Sequence, residues 1–417
     1  MLENPLSVLR RLPAPVRVLL AGTLLNRSGT FIVPYLSLVL SRELHMSATG
    51  VGILISSYGA STLVSILVGG VLTDGLGRRT TLLLSLGGSG VLAMAMAYSP
   101  GAGAFVPLLV AFGFVAELYR PASTAMISDL LPSRDRATGF AALRVAVNLG
   151  FVIGMTLGGV LVDWRWRVLF VADGATTLLF GALIFFFSQE TMPAHAEGHT
   201  AVSRRGLGLL RDGVYAQALV VSLAFGFVLF SFITVLPLTV TLWAGYPAAV
   251  YGGIVAVNGL LIAFLEMSLV SWLRRYRRLR VAALGLILGG VGFAMTALVP
   301  HWAWFLASLT IWTIGEMLVV PQQMSFLADW APPAARGRYM GLYSATWSVG
   351  YAINPILLIP LHARAGDRLF WILLGLVLLP AAAVPWRLDR RADRPELLRG
   401  RTAEPAAADR PGPPTPS

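Results

Sequence analysis

The sequence predicts an all-α integral membrane protein with twelve transmembrane helices in two pseudo-symmetric six-helix bundles. Three observations carry that expectation. Of the 417 residues, 56% are hydrophobic and only 12% are charged, roughly half the charged fraction of a soluble domain. So few charges cannot cover a water-facing surface of this size, so lipid must cover it. The chain divides into apolar runs long enough to cross a hydrocarbon core, which takes about 20 residues of helix. Finally, a pattern of residues in the first half recurs in the second.

The predicted spans are 17–41, 47–73, 80–99, 103–131, 136–163 and 165–189, then 213–243, 247–273, 279–300, 302–331, 336–363 and 367–387. Several exceed the minimum length, which implies tilt or extension beyond the bilayer. The domain reading follows. Residues 1–189 form the first bundle, 190–212 a cytoplasmic linker, 213–387 the second bundle and 388–417 a Pro-, Ala- and Arg-rich disordered cytoplasmic tail. The linker holds Pro193, His195, Glu197, His199 and Arg204-Arg205. Two histidines without further ligands read as solvated, and no metal site is expected.

All 32 basic residues are arginine, and cysteine is absent. The lack of cysteine excludes disulfides and thiolate metal sites. The lack of lysine excludes a G-x-x-x-x-G-K-[ST] phosphate loop. No cofactor is expected, and no nucleic-acid partner despite the net charge of +12, because the arginines sit in short loops between apolar runs. Arg78, Arg79, Arg134, Arg136, Arg204, Arg205, Arg211, Arg336, Arg338 and the run Arg274, Arg275, Arg277, Arg278, Arg280 fall on one side. Only Arg42, Arg165, Arg167, Arg364 and Arg368 fall on the other. Arginine-rich loops stay in the cytoplasm, so both termini are expected there, in the cell's inner (plasma) membrane. Arg10, Arg11 and Arg17 precede a span too long for a signal h-region, so the first helix reads as an uncleaved anchor.

The repeat runs Glu117, Pro121, Asp129, Pro132, Arg136 and then Glu316, Pro321, Asp329, Pro332, Arg336. The offset is 200 residues for the last four and 199 for the glutamate. Repeated halves of this kind are typical of transporters that rock two bundles around a central site.

Between spans 2 and 3 stands Gly70-Val71-Leu72-Thr73-Asp74-Gly75-Leu76-Gly77-Arg78-Arg79. Gly70 suits a tight helix contact, Asp74 can meet a helix N-terminus or an arginine, and Gly77 permits a sharp turn. The segment resembles the signature loop G-x-L-x-D-x-x-G-R-R of the major facilitator superfamily, departing from it at Gly75. The resemblance implies a cytoplasmic latch between the halves in the outward-open state, with Asp129 as the partner of Arg78. In span 5, Gly150, Gly154, Gly158 and Gly159 are similar to the helix-packing motif G-x-x-x-G-P-x-x-G-G of that superfamily's antiporters. Met155 replaces its proline, which weakens the implication of export. The whole pattern resembles the twelve-span drug:proton antiporters of the multidrug-exporter branch.

Arg27, Glu117, Arg120, Arg144, Asp173, Glu266 and Glu316 all fall inside apolar spans. Each such charge costs at least about 2.5 kcal/mol at the bilayer centre, so each must face a cavity or a partner. Glu117 lies about 18 Å of helix above Asp129, near mid-membrane, and Glu316 stands at matching depth. Arg120 is three residues from Glu117 and can pair with it. An arginine cannot give up its proton here, but a carboxylate can take one. Glu316 is the expected proton carrier, with Glu117 and Glu266 as further coupling candidates, and the resemblance agrees, since an acid on span 10 often handles the proton in that branch. The expected substrate cavity comprises Arg27, Glu117, Arg120, Arg144, Tyr35, Tyr58, Trp312, Glu316 and Trp347.

The expectation is a non-enzymatic, monomeric, proton-coupled exporter of hydrophobic or amphiphilic small molecules. A second reading is a proton symporter for peptides or organic anions. It is motivated by Arg27 and Tyr119-Arg120-Pro121, which are loosely similar to proton-coupled peptide transporters. A third is a non-transporting receptor or scaffold with this fold.

Overall fold

The computed structural model describes residues 12–191, 212–273, 275–331 and 336–392. Most of the expected linker, with His195, His199, Arg204, Arg205 and Arg211, lies outside the described residues, as do Arg274 and the tail beyond 392. The side chains of Arg134, Arg136, Arg336 and Arg338 also lie outside them.

The described chain is built from helices. They are α1 (Ala14–Ser28), α2 (Ile32–Arg42), α3 (Ala48–Gly75), α4 (Arg78–Ala97), α5 (Ala102–Ala116), α6 (Tyr119–Leu130) and α7 (Ser133–Phe187). After residue 212 come α8 (Gly213–Leu229), α9 (Ala248–Leu273), α10 (Arg278–Met295), α11 (Trp302–Trp330) and α12 (Arg336–Ala392). Short turns at Ser231–Thr234 and Leu236–Leu238 and a π-helical segment, Thr239–Trp243, extend α8. In lipid, a helix satisfies its backbone groups within itself, so apolar runs of this length have no better alternative. Nine segments among the described residues are long and apolar enough to cross a membrane. Their outward residues are apolar, as at Val71, Phe264 and Met267, which suits hydrocarbon and not water.

Two of these helices are hairpins. In α7, Arg165 has non-helical backbone angles (φ −156°, ψ 105°). Gly150, before that bend, packs on Arg27, while Phe180, after it, packs on Gly22. A straight helix would hold residues 150 and 180 about 45 Å apart, so the two arms fold back on each other. In α12 the bend falls at Gly366, whose φ of +74° lies in the left-handed region. Asn354 of its first arm bonds the Phe227 carbonyl at 2.6 Å, while Leu378 of its second arm packs beside Phe225 against Gly289.

Three expected spans are interrupted. The first breaks at Gly29–Phe31, where Asp173 of α7 accepts from the amides of Phe31 and Ile32 at 3.2 and 3.3 Å. That carboxylate caps a helix start inside the bundle. The fourth breaks at Glu117–Leu118. Pro121 has no amide to give the Glu117 carbonyl, and Ser85 bonds both the Val115 carbonyl (2.7 Å) and the Tyr119 amide (3.1 Å). The seventh ends in the π-helical turn, held by Thr239 between Asp367 (2.8 Å) and Trp371 (2.9 Å).

Small residues set the packing. A Cβ on Gly174 would lie 2.7 Å from the Gly90 carbonyl, and one on Gly290 would lie 2.7 Å from the Gly375 carbonyl. The same close helix approach thus occurs in both halves, about 200 residues apart. Glycine permits it because lipid supplies no hydrophobic drive and association rests on backbone proximity.

Candidate functional site: two seams and a charged interior

The halves meet along two seams. In one, the first arm of α7 runs antiparallel to α9. Asp163 accepts from the Ala249 amide at 3.1 Å, and a Cβ on Gly159 would lie 2.6 Å from Ala249 Cα. The Met155 carbonyl abuts Gly252, and Val152 packs on Gly259. The seam ends where Arg144 reaches Glu266, at 2.8 and 3.0 Å to its two oxygens. In the other seam, α3 runs against the first arm of α12. The Pro355 carbonyl would lie 2.6 Å from a Cβ on Gly52, Ser56 accepts from the Ile356 amide at 3.0 Å, and Gly59 abuts Ala352. This seam ends with Tyr58 edge-on to Tyr351, ring centres 6.5 Å apart.

Both seams occupy the end of the bundle opposite the arginine-rich loops. Tyr35 belongs to the same closure. It is fully buried, donates to the Met155 carbonyl at 2.5 Å and stacks edge-on with Tyr251. Tyr251 in turn donates to the Pro34 and Phe232 carbonyls. Tyr35 was expected on a cavity wall. It instead sits in the packed layer between the halves, because Gly158 and Gly252 let both helices approach it.

The charged interior lies beneath this closure. Arg120 pairs with Glu117 at 2.6 Å and stays 55% exposed although it is at mid-depth. Arg144 is 65% exposed, with Glu266 only 15% exposed beneath it. Such exposure means that neighbouring helices do not pack over these two guanidinium groups. Arg27 donates to the Tyr119 hydroxyl and lies over that ring, and its Nε is buried without a partner. Glu316 receives a hydrogen bond from Asn258 at 3.1 Å, and Asn258 also bonds Thr313 at 3.0 Å. Among the described residues no guanidinium pairs with Glu316. The two acids therefore differ in kind. Glu117 is matched by a cation, whereas Glu316 is held by a neutral amide and can take a proton without breaking an ion pair.

The aromatic side belongs mostly to the second half. Phe230 stacks on Tyr351 (4.9 Å) and Trp347 (6.2 Å), and Tyr343 lies 6.4 Å from Trp347. Tyr58 is buried and stacked on Phe112. Trp312, another expected cavity residue, is buried in the second half between Phe293 and Phe232. The glycine opposite it, Gly292, lets α10 pack onto its backbone.

At the arginine-rich end, Arg78 Nε meets Asp129 at 2.9 Å and Arg78 also approaches Asp74 at 3.7 Å. Gly77 adopts φ +98°, which glycine takes without strain. Glu190 accepts from the Arg78 and Arg79 amides at 2.8 and 3.1 Å. Arg79 donates to the Phe185 carbonyl. All these contacts lie within the first half. Gly70 was expected at a tight helix contact but has open space around it. Gly69 makes that approach instead, against Leu118 and Pro121, because one residue of helix turns the side chain by about 100°. In span 5, Gly150, Gly154 and Gly158 pack on residues of α1, the break and α2, whereas Gly159 packs on α9.

Sequence reasoning did not foresee four of these relations. They are the Arg144–Glu266 bond, Asp173 as a cap, Glu190 at the loop, and Arg278 with Asp329 at 2.5 Å. The last was readable, since it repeats Arg78–Asp129 at an offset of 200 residues.

A family model described as Major Facilitator Superfamily matches residues 18–329 and 245–411. A "Na(+), Li(+), K(+)/H(+) antiporter" of Planococcus maritimus is 28% identical over 84% of this chain and 90% of its own length. A "Multidrug resistance protein MdtH" of Enterobacter is 25% identical over 91% of this chain and 96% of its own. A crystal structure of a POT family transporter bound to a thioalcohol-conjugated peptide superposes with a TM-score of 0.78, covering 93% of this chain and all of that one. Its 16% identity makes this a likeness of fold alone.

Proposed function

The chain belongs to the major facilitator superfamily, and from that premise we propose that it is a proton-coupled exporter of hydrophobic or amphiphilic small molecules. It is a multi-pass membrane transporter and not an enzyme. The proposal includes twelve crossings, with α7 and α12 each counted twice and with α1 and α2, and likewise α5 and α6, counted as one. It also includes two six-helix bundles, a monomeric state, and both termini on the cytoplasmic side of the inner membrane.

One observation carries the mechanism. The halves are sealed at one end, and neighbouring helices do not pack over the interior guanidinium groups of Arg120 and Arg144. Alternating access requires those two seams to part while the arginine-rich ends close. Glu316 carries the proton, since its amide partner leaves it free to change charge. Glu117, fixed by Arg120, supplies a constant counter-charge. The aromatic side formed by Phe230, Trp347 and Tyr351 gives an apolar body somewhere to rest, while the arginines and acids opposite take its polar end. The multidrug relative supports export, and the Planococcus relative supports exchange against protons.

The test is transport by purified protein in proteoliposomes under an imposed pH gradient. Substrate movement that follows the gradient, and loses that dependence in Glu316→Gln, is the expected result. Movement indifferent to the gradient in the unaltered protein would remove the coupling. Uptake of peptides or organic anions is the second reading, favoured by the buried Nε of Arg27. In the same vesicles, loss of anion binding alone in Arg120→Ala would support it.

A further inference from the structure

The turn between α9 and α10 carries a concentration of charge that the transport reading does not use. Four arginines stand within residues 275–280: Arg275, Arg277, Arg278 and Arg280. Asp389 binds Arg277 at 3.0 Å and Arg280 at 2.8 Å, and Asp329 binds Arg278 at 2.5 Å. Among the described residues, Asp389 and Asp329 are the carboxylates that pair with this turn. Arg275 has no carboxylate within ion-pairing distance among the described residues. Its guanidinium lies instead 4.4 Å from the Trp272 ring centre and 5.2 Å from that of Tyr276. Arg280 lies over Trp386 at 5.6 Å. All three rings are about half exposed.

The corresponding turn of the first half is built differently. There, Arg78 and Arg79 meet Asp74, Asp129 and Glu190. Around residues 275–280 the carboxylates that pair among the described residues are Asp389 and Asp329.

We propose that this turn binds the phosphate headgroup of an anionic phospholipid. The chemistry is complementary at each level. Indole and phenol rings settle at the headgroup level of a bilayer. A guanidinium stacked on a ring keeps its in-plane donors free for the phosphate oxygens. An arginine near an anionic leaflet contributes about 1 kcal/mol, roughly a fivefold preference over a neutral lipid. The site stands at the level where α9 leaves the hydrocarbon, so a lipid of the surrounding leaflet reaches it without entering the bundle.

The full-length protein, purified in detergent, would be analysed by native mass spectrometry with phosphatidylglycerol or phosphatidylcholine added. Preferential retention of phosphatidylglycerol is expected, reduced about fivefold in Arg275→Gln. Arg167→Gln is the control, because Arg167 also lies over a tryptophan, Trp166, at 5.4 Å but at the opposite end. It should leave retention unchanged. Arg275→Lys keeps the charge and loses the planar stack, so it should fall between the two and covers the case in which Arg275→Gln does not fold. Equal retention of both lipids, or equal losses in the two Gln variants, would overturn the proposal. So would inorganic phosphate displacing the lipid at matched concentration, since the site would then be one for free anions.

Discussion

The two seams share their glycine contacts and differ in their polar ones. Gly52 against the Pro355 carbonyl repeats as Gly252 against the Met155 carbonyl, and Gly59 with Ala352 repeats as Gly259 with Val152. Every one of these residues is shifted by 200 positions. The proline absent at Met155 is therefore present in the second half, as Pro355. Two turns nearer the arginine-rich end the symmetry fails. One seam has Arg144 and Glu266, whereas the same positions of the other are Ser344 and Ile66. The comparison separates two tasks. Glycine against carbonyl is shared, so it belongs to the act of closing. The ion pair stands in one seam only, so it answers to charge, from a proton or a substrate.

The largest expected effect breaks what the seams share. Gly52→Leu and Gly252→Leu each place a side chain against a backbone carbonyl that cannot move aside. Overpacking of this kind costs about 1–3 kcal/mol, enough to shift a two-state balance roughly tenfold or more. Both variants should lose most transport and populate the form open at this end, as read by spin-label distances. If only one did so, the seams would not be equivalent.

Next comes the feature that differs. Glu266→Gln leaves Arg144 without its counter-charge and should lower transport about tenfold, with altered pH dependence. Tyr351→Phe should change transport less than twofold, since the Tyr351 hydroxyl has no partner. Equal losses would mean that the ion pair is mere packing.

A smaller contrast lies at the arginine-rich end. Asp129→Asn removes the partner of an almost fully buried Arg78 and should cost about 3 kcal/mol. Asp329→Asn breaks an exposed pair worth at most about 1 kcal/mol. Thermal unfolding of the two variants compares them directly.

The fold was legible because its causes are local and repeated. A deficit of charge, apolar runs and a 200-residue offset are each properties of the string. The Arg78 loop was equally readable, because its glycine and its acid lie at fixed spacing. The rest depends on helix rotation and on which helix faces which. Arg144 and Glu266 could each be flagged as costly in lipid, but their pairing required the seam. Tyr35 and Trp312 are aromatic and mid-span, which describes a cavity wall and a packed core equally well. Asp173 could not be recognised as a cap before the break at Gly29 was known. That break has a faint signal in Gly29 and in Pro34, which is tolerated in a first helical turn.

The central claim is that the seams open as the other end closes. Spin labels at Glu43 and Arg364 would report on the sealed end, and labels at Leu76 and Tyr276 on the arginine-rich end. All four positions are exposed. Pulsed dipolar distances in bilayers should fall into two populations whose changes are opposite in sign at the two ends, with proton concentration shifting their ratio in the unaltered protein and not in Glu316→Gln. A single fixed distance at each end, unmoved by pH or substrate, would contradict the account.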